Sequence, residues 1–484
     1  MKKKLVLAIL MTMTVSSVFA GCGNIKTSVI SDPATEQSTE KTKSGLALIT
    51  DWETKANITL GKTISVDGEG AKVSDKVIKI TEGGAYTISG ESQDASILVD
   101  TEEDVKLILD GVTMTSTSGP VIYGKQAKSL YVETTEGSEN TLTDSSDYET
   151  DEDGKSVGKA VVSSKDDLVL LGKGTLTLNG NYKHCIAGND SVYFEGGTYQ
   201  LSTTAKDGVH ANDLIAVDDG TFTIDAVSDC MESEGDLIIN GGTITGNSDD
   251  EGLEGKEKLT INDGTIDLQV VDDGLNAGSA ILIKDGEITI HTSQGDAIDS
   301  NGSLQVDGGT ITAYGGSVPE GGLDCDNAQV VINGGTIVVA GDVNSSISED
   351  SKQVSVLLGQ YQKGDTISIT TESGEEVLGF TLEDAKSNIV VSSPKFTQGE
   401  TYKVLVNGEE DQSFTVDSTV ISAGGTADAM GGGPGGQMPQ GEKPQGQPGD
   451  GQMQPGGDGQ KERPSGQPPQ GEKDNSAEKS EANN

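Results

Sequence analysis

Residues 237–244 read Leu-Ile-Ile-Asn-Gly-Gly-Thr-Ile, and the phrase that ends this stretch recurs through the middle of the chain. The phrase occurs eight times and contains a Gly-Thr pair in each copy except one, which has Gly-Glu. The glycines of these pairs are Gly174, Gly197, Gly220, Gly242, Gly264, Gly286, Gly309 and Gly335. From Thr175 to Thr336 the intervals are 23, 23, 22, 22, 22, 23 and 26 residues. A period near 22 with strand-like alternation predicts one coil of a parallel β-helix per repeat.

The alternation of apolar residues sets the register of each predicted coil. Side chains of a strand point alternately to opposite faces, so Leu237, Ile239 and Ile244 are expected to point inward. A third short strand supplies one more apolar residue per coil: Ile186, Val209, Met231, Leu253, Leu275, Ile298 and Leu323. Gly-Gly and Asp-Gly pairs between the strands are typical of tight corners. The predicted fold is therefore an all-β, single-stranded parallel β-helix.

The composition excludes several classes of partner. The chain has 484 residues, of which 78 are acidic and 33 basic, and its formal net charge is −45. Contacts to phosphate need clustered lysine and arginine, so unaided binding to nucleic acid or to an anionic membrane surface is excluded. The one arginine is Arg463, near the C-terminus. Bidentate guanidinium clamps on carboxylates are therefore not expected in the folded part.

The N-terminus has the pattern of an export signal. Lys2–Lys4 precede an apolar run from Leu5 to Ala20, and Cys22 follows small residues as in a bacterial lipobox. We predict a lipoprotein signal peptide over residues 1–21, lipidation of Cys22, and a flexible tether over residues 22–48. Such a protein would be held by its lipid on the outer face of the bacterial cell membrane. A plain signal peptide with an incidental cysteine is the alternative.

The remaining boundaries follow from changes in pattern. Residues 49–350 are predicted to form the β-helix and residues 351–422 a small β-sandwich or cap, because the 22-residue period ends there. Residues 423–484 are rich in Gly, Pro and Gln, which predicts a disordered tail. Three further cysteines are expected to be buried thiols: Cys185, Cys230 and Cys325. Three histidines without a Cys-x-x-Cys motif argue against a zinc site.

Acidic residues recur on both sides of the third apolar column. Two residues before it, five consecutive coils carry what we call the first file: Asp207, Asp229, Glu251, Asp273 and Asp296. One residue after it runs the second file: His210, Glu232, Glu254, Asn276, Asp299 and Asp324. Asp250 and Asp272 add charge beside the first file. Because coils stack about 4.8 Å apart, equivalent residues of neighbouring coils are expected to lie side by side.

Stacked carboxylates need compensation. Two of them about 5 Å apart repel by roughly 3 kcal/mol at an effective dielectric constant of 20. Protonation is one remedy, and a hard cation is another. Ca²⁺ prefers oxygen ligands, so we predict that it is bound by Asp207, Asp229, Glu232, Asp250, Glu251, Glu254, Asp272, Asp273, Asn276, Asp296, Asp299 and Asp324. The alternative interpretation is that these residues only form turns before glycine, and bound ions could be structural or could bridge to a ligand.

An ordered set of phrases supports a family resemblance. Residues 80–90 read Ile-Thr-Glu-Gly-Gly-Ala-Tyr-Thr-Ile-Ser-Gly, followed by Ile97–Asp100, Leu107–Val112 and Gly137–Leu142. Together with the later coils, residues 50–420 resemble a bacterial family of exported carbohydrate-binding β-helix proteins. The resemblance implies a right-handed helix of polysaccharide-lyase type, bound calcium, and binding of acidic plant polysaccharide such as polygalacturonate.

Several functions remain open at this point. The first is a non-catalytic surface lipoprotein that binds acidic polysaccharide through calcium. The second is a calcium-dependent lyase acting by β-elimination, with Lys206 as the base or, less favourably placed, Lys183. The third is a hydrolase that uses paired acids, for which the adjacent pairs are Asp218-Asp219, Asp249-Asp250 and Asp272-Asp273. It is disfavoured because neighbouring residues of a strand point to opposite faces. A structural adhesin or spacer is the fourth possibility.

Overall fold

The computed structural model describes residues 39–150, 154, 156–326 and 328–425. All regular structure in these residues is β-strand, which confirms the all-β prediction. None of the described residues forms a helix with the length and apolar character needed to cross a bilayer. The predicted signal peptide, Cys22 and the predicted tail beyond residue 425 lie outside the described residues.

The chain winds into a β-solenoid of about 11 turns, as the repeat predicts. Most coils have three strands, for example Asp236–Ile239, Thr243–Ser248 and Leu253–Gly255. The third strands stack in parallel and form what we call the short-strand sheet: Val77–Ile80, Ser96–Asp100, Ile122–Gln126, Ala160–Ser164, His184–Gly188, Val209–Ala211, Met231–Ser233, Leu253–Gly255, Leu275–Ala277, Ile298–Ser300 and Leu323–Cys325.

The other two faces are also parallel stacks. The first face is built by Thr54–Thr59, Ser129–Thr134, Asp167–Gly172, Asp236–Ile239, Lys258–Ile261, Ala280–Ile283, Ser303–Val306 and Val331–Ile332. The second is built by Glu139–Thr143, Thr175–Gly180, Thr243–Ser248, Thr265–Val270, Glu287–Thr292, Thr310–Tyr314 and Thr336–Gly341. Four long strands continue from the first face into the second: Gly84–Gln93, Val105–Thr115, Ser191–Thr203 and Leu214–Ala226.

The predicted inward residues form the core. Leu237, Ile239 and Ile244 are buried, and the whole third column is buried in register from Ile186 to Leu323. Gly242 has φ = 87°, a left-handed conformation that favours glycine at the corner between the first two strands. The cysteines of the coils are free and buried, as predicted: Cys185, Cys230 and Cys325.

Antiparallel strands lie at both ends of the parallel stacks. At the N-terminal end, Ala71–Ser74 pairs with Val77–Ile80 of the short-strand sheet. Ser65–Gly68 pairs in the same way with Thr54–Thr59 of the first face. At the C-terminal end, Asn388–Ser392 runs antiparallel to the last strand of the second face. The short-strand sheet and the first face therefore begin with a strand of opposite direction, and the second face is followed by one.

Residues beyond the last coil are β-structure, in the region where a cap was predicted. Ser355–Leu358 and Val420–Ala423 are parallel neighbours on the solenoid side. A separate antiparallel sheet has the order Glu376–Thr381, Thr366–Thr371, Thr401–Val406 and Glu409–Thr415. Buried Ile367, Tyr402 and Phe414 share an apolar cluster with Tyr314 and Val338 of the last coils, so this sheet packs against the solenoid end.

The described part of the predicted tether differs from the prediction. Thr39–Lys41 and Ala47–Ile49 form an antiparallel hairpin. The backbone N–H of Ser44 donates to Oδ2 of Asp218 at 2.8 Å, and the ammonium group of Lys43 donates to the carbonyl of Asp218 at 2.9 Å. The hairpin is thus fixed to the solenoid surface. Ser- and Thr-rich composition indicated flexibility but carried no signal for these contacts.

Candidate functional site

Both files are stacked as the repeat predicts. In the first file, backbone N–H groups next to each acid donate to the carbonyl of the acid in the following coil, as from Gly208 to Asp229 at 2.9 Å and from Gly252 to Asp273 at 2.9 Å. The second file is aligned residue by residue within the short-strand sheet: His210, Glu232, Glu254, Asn276, Asp299 and Asp324. Two rows of oxygen-rich side chains therefore run side by side along the short-strand sheet, from coil to coil.

Several acids of the first file also bind backbone amides. Oδ1 of Asp273 accepts from the N–H of Asp296 at 2.8 Å, and Oδ1 of Asp296 accepts from the N–H of Gly321 at 2.5 Å. Oδ1 of Asp229 accepts from the N–H of Glu251 at 3.3 Å. These bonds match the turn-forming interpretation of the sequence, and Asp229 and Asp296 also contact the carboxyl groups of Glu251 and Glu320.

Burial makes ionisation of these carboxylates unfavourable. Burial, followed by neighbouring negative charges, raises the pKa of Asp273 to about 7. It raises the pKa of Asp299 likewise to about 7, with further repulsion from Asp324. The pKa values of Asp229 and Asp296 are raised by burial and by the acids beside them. The protein alone therefore leaves this negative charge only partly compensated, as the electrostatic argument from the sequence anticipated.

A lysine balances part of the second file. The ammonium group of Lys256 lies 3.3 Å from Oε1 of Glu232 and 2.5 Å from Oε2 of Glu254. Burial alone would lower the pKa of Lys256, but the two carboxylates raise it above its ordinary value. Lys256 thus supplies a positive charge to Glu232 and Glu254. The prediction from the sequence assigned the neutralisation of these two residues entirely to calcium.

The remaining predicted ligands differ in their surroundings. Asp272 is exposed, and Asp250 lies with Asp229 and Glu251 in a cluster whose oxygens are within 4.8 Å of one another. Oδ1 of Asp324 accepts from the N–H of Cys325 at 2.7 Å and from the hydroxyl of Ser345 at 2.9 Å. Asp229 also lies within 4.8 Å, oxygen to oxygen, of Asp207 and Glu232, so it belongs to two groups of carboxylates that could hold a cation.

The N-terminal end of the first file contains two histidines. Nδ1 of His184 lies 3.0 Å from Oδ2 of Asp207, and Nδ1 of His210 lies 3.4 Å from the same oxygen. The two imidazole rings are stacked with centroids 4.6 Å apart. Burial opposes ionisation of Asp207, but the imidazoles hold its pKa below the usual range. Burial also opposes protonation of His210, yet Asp207 and Glu232 raise its pKa to about 9.

A basic pocket adjoins this end of the file. It has a volume of about 460 Å³, and its lining contains four lysines and no acidic residue: Lys125, Lys159, Lys165 and Lys183. Lys183 directly precedes His184, and the N–H of His184 donates to the carbonyl of Lys159 at 3.3 Å. The pKa of Lys159 is lowered by burial and by the charge of Lys183. The pocket and the files therefore share one face of the solenoid.

The other candidates for catalysis differ in their surroundings. Lys206 is exposed, and its backbone carbonyl accepts a hydrogen bond from the Thr203 hydroxyl. Asp218 is buried while its neighbour Asp219 is exposed, so the two point to opposite faces, as argued from alternation. Asp218 also accepts from the side-chain amide of Asn240 at 2.6 Å and belongs to a polar stack at another corner of the solenoid.

Two features were missed in the sequence. The four pocket lysines come from three successive coils, with Lys159 and Lys165 on either side of the same short strand, and the register of the short strands brings them together. Lys256 stands two residues after Glu254, a spacing that places it beside the second file. Aligning lysines on the same repeat frame as the acids would have revealed both features.

Fold and site define a β-solenoid with paired rows of acids and a lysine pocket on one face. The chain belongs to the family of carbohydrate-binding domain-containing proteins, whose model matches residues 74–313 and 230–432. A carbohydrate-binding domain-containing protein of Acetivibrio thermocellus is 37% identical over 131 residues, which cover 27% of this chain and 46% of that protein. The chain thus spans less than half the length of that relative.

A structural comparison gives one further similarity. The solved structure of a polysaccharide lyase-like protein from C. thermocellum, a gadolinium derivative, aligns with 47% of this chain and 96% of its own chain. The sequence identity is 29% and the TM-score is 0.46.

Proposed function

We propose that this protein binds an acidic, uronate-rich polysaccharide such as polygalacturonate on the face that carries the two files and the lysine pocket, without cleaving it. The observation that carries the proposal is the group of four lysines that lines one pocket in a chain of net charge −45. Ammonium groups attract sugar carboxylates, and their concentration at one place counteracts the general repulsion of a polyanion. Membership of a carbohydrate-binding family supports a glycan as the ligand.

Calcium would extend this binding surface along the files. Ca²⁺ takes about six to eight oxygen ligands, and the carboxylates of Asp229, Asp250 and Glu251 offer oxygens from adjacent coils within 4.8 Å of one another. Asp273 and Asp296 continue the same file in the following coils. An ion held there neutralises carboxylates whose burial disfavours their charge. Its remaining coordination positions can accept uronate oxygens, so that the same ions stabilise the solenoid and bridge to the glycan.

The proposal includes attachment to the outer face of the bacterial cell membrane through lipidated Cys22. The basic residues, the apolar run and the cysteine after small residues support it, and these lie outside the described residues. Incorporation of a labelled fatty acid in cells should occur in the wild-type chain and be lost in Cys22→Ser. Equal labelling of both chains would contradict the anchor.

The central experiment is retention of the full chain on insoluble polygalacturonate, with an insoluble neutral glycan as control. We expect retention in calcium, weaker retention in EDTA, and no unsaturated uronate in the supernatant. Retention on neither glycan would contradict the proposal and leave a structural spacer. Equal retention on both would contradict recognition of acid groups.

Lyase activity is a second candidate, favoured by one observation. Lys159 is half-buried in the basic pocket, and burial lowers its pKa, as suits a base that removes the C5 proton of a uronate. It is better placed for this role than exposed Lys206. Growth of unsaturated-uronate absorbance in calcium, abolished in Lys159→Gln and unchanged in Lys206→Gln, would replace the non-catalytic proposal by this one.

A further inference from the structure

Four side chains from three successive coils meet where the first file begins. Nδ1 of His184 is 3.0 Å from Oδ2 of Asp207, and Nδ1 of His210 is 3.4 Å from that oxygen. Nδ1 of His210 is also 3.3 Å from Oε2 of Glu232. The donor atoms of His184, Asp207 and His210 all lie within 4.8 Å of one another.

The centre of this group has unmet hydrogen-bonding capacity. Asp207 is completely buried, and neither of its carboxylate oxygens takes part in a hydrogen bond of acceptable geometry. Nδ1 of His184, a residue only 4% exposed, also lacks one despite its short distance to Asp207. A buried carboxylate without hydrogen bonds is costly, so this arrangement indicates a further partner among the donors.

The donor set distinguishes the partner from calcium. Ca²⁺ prefers oxygen ligands, whereas two imidazoles with carboxylates suit zinc and its neighbours in the transition series. Ligand atoms about 2.0–2.2 Å from a tetrahedral zinc ion lie roughly 3.3–3.5 Å apart. The observed separations of 3.0, 3.3 and 3.4 Å are close to that range.

We propose that His184, Asp207, His210 and Glu232 form a binding site for one divalent transition-metal ion of the zinc class. The site adjoins the calcium site proposed around Asp229, because oxygens of Asp207, Asp229 and Glu232 lie within 4.8 Å of one another. It reassigns Asp207 and Glu232 from calcium to the second metal. It does not depend on glycan binding. The scarcity of histidine argued against zinc in the sequence, but the coil register places two of the three histidines on adjacent coils.

The test uses the full, tag-free chain after removal of metal with a chelator. Calorimetric titration with Zn²⁺ in excess Ca²⁺ should show one saturable ion per chain. His184→Gln/His210→Gln should weaken that binding at least 100-fold, whereas His291→Gln, which alters the histidine stacked on Tyr314, should not. Absence of saturable Zn²⁺ binding, displacement by Ca²⁺, or unchanged binding in the folded double variant would overturn the proposal.

A measurement on the wild-type chain covers the case in which the double variant does not fold. X-ray absorption of the zinc-loaded protein should show two imidazole nitrogens among the ligands. A shell of oxygen atoms alone would overturn the proposal. Polygalacturonate retention, measured with and without Zn²⁺, reports separately on the proposed glycan function.

Discussion

The ammonium group of Lys256 lies 2.5 Å from Oε2 of Glu254 and 3.3 Å from Oε1 of Glu232, which belongs to the preceding coil. One lysine therefore joins two buried carboxylates that the repeat places side by side. The files are not a uniform row of repelling charge, since the protein balances this part of the second file itself. The need for added cations is concentrated on acids of the first file such as Asp229, Asp273 and Asp296, whose pKa values are raised.

This arrangement predicts that Lys256→Met destabilises the fold. Loss of the ammonium group leaves Glu232 and Glu254 facing each other, at a cost of about 1 kcal/mol after allowance for solvent exposure of the lysine. Urea unfolding at neutral pH in EDTA would measure it. Lys258→Met is the matched control, because Lys258 is exposed on the first face. Equal effects of the two substitutions would show that the pairing contributes nothing specific.

Calcium binding should depend on the first file. Asp273→Asn retains an oxygen that can accept from the N–H of Asp296 but removes the negative charge. We expect weaker calcium binding by calorimetry, and a smaller rise in melting temperature on calcium addition than in the wild type. Asp285→Asn, at a corner away from the files, serves as the control. A wild-type melt that is the same in calcium and in EDTA would contradict calcium stabilisation.

Glu195, which lies away from the proposed metal sites, should make the stability of the fold depend on pH. Burial, followed by the charge of Asp218, raises its pKa from 4.5 to about 7, and its Oε1 is buried without a hydrogen bond. A carboxyl whose folded pKa is raised favours folding below its unfolded pKa and loses that contribution as pH rises towards about 7. Glu195→Gln should therefore be more stable than wild type by about 1 kcal/mol at pH 8, a value reduced for solvent screening.

The advantage of Glu195→Gln should shrink as pH falls from about 7 and vanish below about 4.5, where the wild-type carboxyl is protonated in both states. Thermal melts across this range in EDTA would measure the difference between the two chains. A difference that is constant with pH would show that the effect comes from packing rather than from titration.

The lysine pocket predicts the effect of charge removal on glycan retention. Lys159→Gln/Lys183→Gln keeps much of the side-chain volume but removes two of the four ammonium groups. Retention on polygalacturonate should fall about 10-fold or more and become less sensitive to salt. Lys258→Gln removes one charge from another face and should bind like wild type. Equal losses in the two variants would indicate a general charge effect rather than a pocket.

Most of the fold could be predicted from the repeat in the sequence. Apolar residues at fixed positions, such as Leu253 and Leu275, specify which face is buried, and glycines such as Gly242 mark corners. The stacking of the two files followed from the same frame. In contrast, the contact of Ser44 with Asp218 joins residues 174 positions apart that belong to no common repeat. Such contacts cannot be predicted from the period of the repeat.

The detailed chemistry of the site was less accessible for a related reason. A repeat fixes which residues are neighbours but not how their side chains rotate. The turn of Asp273 towards the N–H of Asp296, and the approach of Lys256 to two glutamates, depend on side-chain rotamers and local burial. The approach of both His184 and His210 to one oxygen of Asp207 likewise depends on how these side chains are oriented.

The antiparallel strands at the ends of the stacks affect how the molecule behaves at high concentration. Stacked parallel strands with unsatisfied edges have the geometry of a growing fibril, because any similar edge can add to them. Ala71–Ser74 reverses the strand direction at the N-terminal end of the short-strand sheet. Asn388–Ser392 does so after the second face and is itself paired with Ser355–Leu358, so another copy cannot simply continue the coil pattern at these places. These strands therefore act against end-to-end polymerisation when the protein is concentrated.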